Sequence, residues 1–186
     1  MENKEQKKEK TFDFKKEIRE WFFILLTAAG IALFLNTFII ANSRVPSNSM
    51  ETTIMTGDRI IGSRLAYITG DPQRGDIVIF NHKIDTSGKE TRLVKRVIGL
   101  PGETVDIVDG KVYINDSDTP LDEPYLPEPM EGSYGPYTVP EGCYFMMGDN
   151  RNNSLDARFW KNQFVPKKDI MAKVLFCYYP RIGKVE

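Results

Sequence analysis

Histidine and cysteine are scarce in this sequence: one His and two Cys stand among 186 residues. A Ser-His-Asp hydrolase needs a His beside its nucleophile. The single candidate, His82, follows an apparent strand in Asn81-His82-Lys83, where a surface-loop position fits it best. Cys143 and Cys177 lie too far apart to build a metal cluster of familiar spacing, so neither a zinc-supported fold nor metal catalysis is expected. Basic excess is missing as well: 25 Lys and Arg stand against 26 Asp and Glu, which leaves no field for phosphate and argues against nucleic acid. A Gly-x-Ser-x-Gly elbow, a phosphate-binding glycine loop and an H-E-x-x-H pair are also absent. Arg74-Gly75-Asp76 reads as a turn feeding a strand rather than an adhesion tripeptide.

The charges that exist are unevenly placed. Seven basic and six acidic residues fall in the first twenty positions, and none falls in Trp21 to Ile40. Twenty apolar residues rising about 1.5 Å each span about 30 Å, the hydrocarbon thickness of a bilayer, so residues 21–40 read as a transmembrane helix. Asn36 is its one strongly polar residue. A core helix would show a polar stripe, and a cleaved signal has a shorter apolar region, although Ala41-Asn42-Ser43 offers a small-x-small site. Basic residues crowd the N-terminal side and only Arg44 follows closely, which puts residues 1–20 in the cytoplasm and 41–186 outside. Against the chain totals, residues 41–186 keep 18 basic and 20 acidic groups. An exported compartment permits disulfides; for Cys143 and Cys177 a bridge and two buried thiols both fit.

The exported part carries short β-branched and aromatic runs at 76–80, 92–98, 104–108, 111–115, 143–147 and 173–179, each bounded by Gly, Pro, Asp or Asn. No amphipathic helix of ten residues stands among them. The expected fold is mainly β: a single N-terminal transmembrane helix, then an exported antiparallel β domain. Its core is expected over 43–104 and 139–180, with a small loop-rich hairpin excursion over 105–138. Asp109-Gly110 between alternating apolar residues predicts a type I′ hairpin. From Ser117 to Pro140 six prolines and several acids predict a loop-rich excursion.

Three segments hold reactive residue types in unusual settings: Val45-Pro46-Ser47-Asn48-Ser49-Met50, Leu93-Val94-Lys95-Arg96-Val97-Ile98-Gly99-Leu100-Pro101-Gly102, and Met147-Gly148-Asp149-Asn150-Arg151-Asn152-Asn153-Ser154-Leu155-Asp156-Ala157-Arg158. Ser49 lies nine positions after Ile40, at most about 30 Å of chain, so Ser49 stays near the outer face of the membrane. Lys95 and Arg96 are neighbours in an apolar strand and point to opposite faces. Singly, each segment also reads as turn, snorkelling Lys or polar loop. Together with the strand entry Gly75-Asp76-Ile77-Val78, and in this order behind an apolar anchor, they resemble type I signal peptidases. These are membrane-bound serine proteases that remove signal peptides from exported proteins. The short 101–147 interval resembles the compact forms of that family.

The resemblance implies Ser49 as nucleophile and Lys95 as general base. A serine hydroxyl is a poor nucleophile, and a lysine takes its proton only as a neutral amine. Burial beside Leu93, Val94 and Val97 disfavours the charge, and lowering the pKa by about two units costs about 2.7 kcal/mol. Ser154 then matches a second serine that hydrogen-bonds the Lys95 amine. Ser47 matches the hydroxyl that forms the oxyanion hole with the Ser49 N–H. Asp156 and Arg158 match a structural ion pair, and Arg96, Asp149 and Arg151 fall on positions that organise the site. Val45, Met50, Ile54, Leu93 and Val94 fall on the walls of a shallow apolar pocket for small residues; Met50 and Ile54 fit plain core equally well.

Thr52-Thr53 stands where the family often has Pro-Thr, Glu103 replaces a more frequent Asp, and Ala157 a common Ser. The expected partners are signal peptides of exported preproteins and membrane lipid, with no cofactor, metal or nucleic acid. Two alternatives remain: a non-catalytic membrane-tethered β module, and a self-cleaving Ser-Lys protease of the phage-repressor kind, whose DNA-binding region this chain lacks.

Overall fold

The computed structural model describes residues 14–85 and 87–185, in two units, 1–35 and 36–186. Residues 1–13, most of the expected cytoplasmic tail, lie outside the described residues. In the first unit α1, Phe14–Phe34, contains the apolar run and no buried residue. Among the described residues one helical run, Phe14–Ile39, is long and apolar enough to cross a membrane. It is longer than the expected 21–40 at its start, because residues 14–20 of the charged stretch are already helical. Its last turn, Leu35–Ile39, is π-helical, and Ile40 already belongs to the first strand.

In the second unit the described strand pairs are all antiparallel. Strands β1 (Ile40–Arg44), β2 (Arg59–Ser63), β3 (Ile77–His82), β4 (Thr91–Gly99), β8 (Cys143–Met147), β9 (Phe164–Pro166), β10 (Ile170–Tyr179) and β11 (Gly183–Lys184) form one sheet. Its order is β1-β2-β10-β3-β4-β8-β9, with β11 beside β10. Runs of β-branched and aromatic residues make these strands, and β3 shows how they pack. Its side chains alternate between faces. Ile77 and Ile79 enter one core with Ala41, Val45, Met50, Ile54 and Ala172, whereas Val78 and Phe80 enter another with Val97, Phe145 and Trp160. A strand buried on both faces is a rigid support, and β4, which carries Lys95, is paired to it over Thr91–Arg96.

A second sheet of order β6-β5-β7 uses β5 (Thr104–Val108), β6 (Lys111–Ile114) and β7 (Tyr134–Thr138). Asp109 and Gly110 have φ of 48° and 76°, the two positive values a type I′ turn requires. β7 corrects the loop-rich expectation over 117–140 at one place: Tyr134–Thr138 is strand, and Pro136 is tolerated within it because β7 is an edge strand. β1, β2, β9 and β11 likewise fall outside the expected runs. Gly99 joins the sheets at close quarters, since a Cβ there would lie 2.6 Å from Val105 Cγ2 and 2.9 Å from Val139 Cγ2. Cys143 and Cys177 are both free thiols.

His82 corrects the surface-loop reading. It is 5% exposed, its Nε2 lies 2.6 Å from the Asn162 carbonyl oxygen, and its ring centroid is 5.1 Å from that of Trp160. Its place is structural, at the end of β3.

Candidate active site

The loop from Val45 to Asp58 connects β1 to β2 and is cinched at its neck: Val45 N–H donates to Asp58 O and Gly57 N–H to Val45 O. Met50 and Ile54 are buried beneath it, and the Ile54 N–H donates to Met50 O. This anchoring presents Ser49 to β4. Lys95 pairs with Val78 and Arg96 with Ile77, so their side chains leave β4 on opposite faces. Both are nonetheless buried, each 3% exposed.

The Lys95 amine and the Ser49 hydroxyl are hydrogen-bonded. Burial lowers the Lys95 pKa to about 8; the Asp156 and Asp149 carboxylates oppose the shift, and Arg158 adds to it. A base with that pKa has a substantial neutral fraction near pH 7–8, which an ordinary lysine lacks. The hydroxyls of Ser47 and Ser49 lie 3.4 Å apart.

Ser154 is brought to the same place without the expected bond. Its Oγ is buried and, among the described residues, has no hydrogen-bond partner. Gly148 allows this crowding: a Cβ there would stand 2.2 Å from Ser154 Oγ and 2.4 Å from the Ser49 carbonyl oxygen. The loop after β8 also clips the Ser49 loop directly, with Asn150 N–H donating to Ser49 O and Asn150 Nδ2 to Asn48 O.

Around this centre lies a buried charge lattice. Arg96 makes a forked pair to Asp149, with Nε to Oδ1 at 2.8 Å and Nη2 to Oδ2 at 2.7 Å. Thr53, from the Ser49 loop, donates to Asp149 Oδ2 at 2.6 Å. Asp156 receives Arg158 Nε at 2.8 Å and Nη2 at 2.9 Å, and also the Gly148 N–H. Arg158 Nη2 donates onward to Arg151 O. Such forked pairs fix geometry as well as charge.

Val45, Met50, Leu93 and Val94 line a groove of about 240 Å³ beside Ser47, Ser49 and Lys95. Ile54 does not: it is fully buried in the core below. Sequence reasoning missed Thr53, Glu123 and Tyr125. Glu123 receives both terminal nitrogens of Arg151 at 3.0 and 2.6 Å, and the Tyr125 ring centroid lies 3.8 Å from Arg96 Cζ. Burial and the neighbouring Glu123 carboxylate push the Tyr125 hydroxyl well above its usual range. Their segment showed only prolines and acids, and its partners are distant in sequence. Among the described residues no group of three His, Cys, Asp or Glu side chains is placed to hold a metal.

The family model of the signal peptidases, peptidase S26, matches residues 18–179, and the chain belongs to that family. It is similar to the probable signal peptidase I-2 of Synechocystis sp., 39% identical over 163 residues that cover 86% of this chain and 73% of that one. It is also similar to signal peptidase I P of Bacillus subtilis subsp. natto, 36% identical over 183 residues, 93% of this chain and 95% of the other. Among solved structures it is similar to a signal peptidase I of Enterococcus faecalis V583, with 35% identity and a TM-score of 0.44, covering 56% of this chain and 97% of that one. The chain is a hydrolase, a serine endopeptidase of the signal peptidase I type.

Proposed function

We propose that this chain is a single-pass membrane endopeptidase that cleaves N-terminal signal peptides from exported preproteins through a Ser49–Lys95 dyad. The observation that carries the reading is the hydrogen bond between the Lys95 amine and the Ser49 hydroxyl inside a buried site. Neutral Lys95 accepts the hydroxyl proton as Ser49 Oγ attacks the scissile carbonyl carbon. The resulting oxyanion is received by the Ser47 hydroxyl and the Ser49 N–H, each such donor contributing about 3 kcal/mol to the transition state. The Lys95 ammonium returns its proton to the leaving amine, which departs as the new N-terminus of the mature protein. Water then attacks the acyl-enzyme, Lys95 taking its proton, and Ser49 is regenerated with release of the signal peptide.

Ser154 Oγ, buried and without a partner, is assigned to accept from the ammonium once the amine has left Ser49. Asp156 with Arg158, and Asp149 with Arg96 and Arg151, hold the frame. The groove at Val45, Met50, Leu93 and Val94 is assigned to the small side chains before the cut. The apolar run is assigned as the anchor, with residues 1–20 cytoplasmic and the β unit outside, from the excess of Lys and Arg before the apolar run. Lipid is then a partner along α1.

Incubating the detergent-solubilised protein with a preprotein and mapping the cut tests the reading. Cleavage after a small residue at the signal-peptide boundary, abolished in Ser49→Ala and in Lys95→Ala, is expected. Full activity in either variant would overturn the dyad.

A further inference from the structure

Residues 121–131 cross from the small sheet to the loop that carries Ser154. The crossing is tied at both ends, by the Leu121 N–H to Val112 O at 2.7 Å and by the Glu131 N–H to Asn152 Oδ1 at 2.9 Å. Between these ties it delivers two side chains to the buried lattice. The Tyr125 ring covers the Arg96 guanidinium, and the Tyr125 hydroxyl donates to Glu123 Oε1 at 2.7 Å. Glu123 in turn takes both terminal nitrogens of Arg151, in a pair whose side chains are 0% and 6% exposed.

Each of these arginines governs one part of the proposed dyad. Arg96 is the chain neighbour of Lys95 and neutralises Asp149, a carboxylate that raises the Lys95 pKa. Arg151 Nε donates to Gly148 O at 3.0 Å, and Gly148 is the glycine that lets Ser154 and the Ser49 carbonyl meet. A guanidinium under an aromatic face is shielded from water, and a forked Arg–Glu pair sets orientation.

We propose that Glu123 and Tyr125 are positioning residues for the cleavage reaction, strapping Arg96 and Arg151 so that Lys95 and Ser154 stay aligned on Ser49. The role rests on the Ser49–Lys95 reading. Besides Ser49, the charged groups acting on Lys95 are Asp149, Asp156 and Arg158. Without the ring, water reaches Arg96, Asp149 is less well compensated, and Lys95 holds its proton more tightly.

The test uses the full chain in detergent micelles with a fluorogenic peptide bearing Ala at the first and third positions before the cut. Tyr125→Ala is expected to lower kcat by about tenfold or more, to keep KM within about twofold, and to move the acid limb of kcat/KM upward by about half a pH unit or more. Tyr125→Phe keeps the ring over Arg96 and is expected to recover the acid limb. Tyr125→Leu fills similar space without a π face and carries the expectation if Tyr125→Ala does not fold. An unshifted acid limb in the folded variant, a loss confined to KM, or a Tyr125→Phe as impaired as Tyr125→Ala would each overturn the proposal. Lys95→Ala is run alongside: activity surviving there removes the dyad itself, whereas an inactive Lys95→Ala beside an unshifted Tyr125→Ala removes only the strap.

Discussion

The amine of Lys95 meets the hydroxyl of Ser49 across forty-six positions of sequence, and the two residues reach each other from different supports. Ser49 rides on a loop packed over Met50 and Ile54, while Lys95 extends from a strand paired to the doubly buried β3. The contact is buried enough that the lysine loses part of its affinity for a proton. Its reactivity is therefore a property of packing, and it is open to measurement.

A first expectation concerns pH and rate. With Lys95 lowered to about 8, the proposed dyad requires kcat/KM to rise as the amine loses its proton and to level above that value. A profile that climbs only near pH 10 would contradict a depressed base.

Stability depends on the same group with a definite sign. The unfolded chain binds a proton at Lys95 below pH 10.5, but the folded chain only below about 8. Between these values the unfolded state holds the extra proton, so folding gains stability as pH rises; the gain is complete above 10.5 and lost as pH falls through 8. Lys95→Met has no such term. It is expected to unfold later than the wild type at pH 7, by up to about 3 kcal/mol, with the difference shrinking toward pH 10.5. Denaturant melts at pH 7 and pH 10 in one detergent give the comparison, and a pH-independent difference would refute it.

Asp149 offers a test of the lattice. Asp149→Asn leaves Arg96 buried without its counter-charge and weakens the Thr53 bond, a loss of about 3–5 kcal/mol. Removing the carboxylate also withdraws an influence that raises the Lys95 pKa, so residual activity should titrate below 8. A downward acid limb, opposite to that expected of Tyr125→Ala, separates charge loss from hydration.

Much of this was legible where the signal is local. The type I′ turn at Asp109-Gly110 needs two residues tolerant of positive φ, and the dipeptide supplies them. Lys95 in an apolar strand and Ser49 after a Pro could be located, through their likeness to a family, before any geometry. The rest depended on partners remote in sequence. His82 is buried because Trp160 and the Asn162 carbonyl arrive from about eighty positions away. Strand β7 hides behind Pro136 and Gly135, residues that usually signal a loop, and its strand character comes from pairing with β5. The roles of Glu123 and Tyr125 exist only once Arg96 and Arg151 lie beneath them.

Gly148→Ala tests the crowding at the dyad. The new Cβ would collide with Ser154 Oγ at 2.2 Å and with the Ser49 carbonyl oxygen at 2.4 Å, the second of which is backbone and cannot rotate aside. Overpacking of this kind costs about 1–3 kcal/mol, and here relief requires Ser49 to move relative to Lys95. The expected result is a modest fall in Tm with at least a tenfold loss of kcat. Adding Ser154→Ala removes the Oγ collision but leaves the Ser154 Cβ at 2.7 Å and the carbonyl, and it deletes the hydroxyl assigned to the Lys95 ammonium, so the double variant should recover stability more than rate. Full recovery of kcat in the double variant would show that the Ser49 carbonyl never constrained the nucleophile.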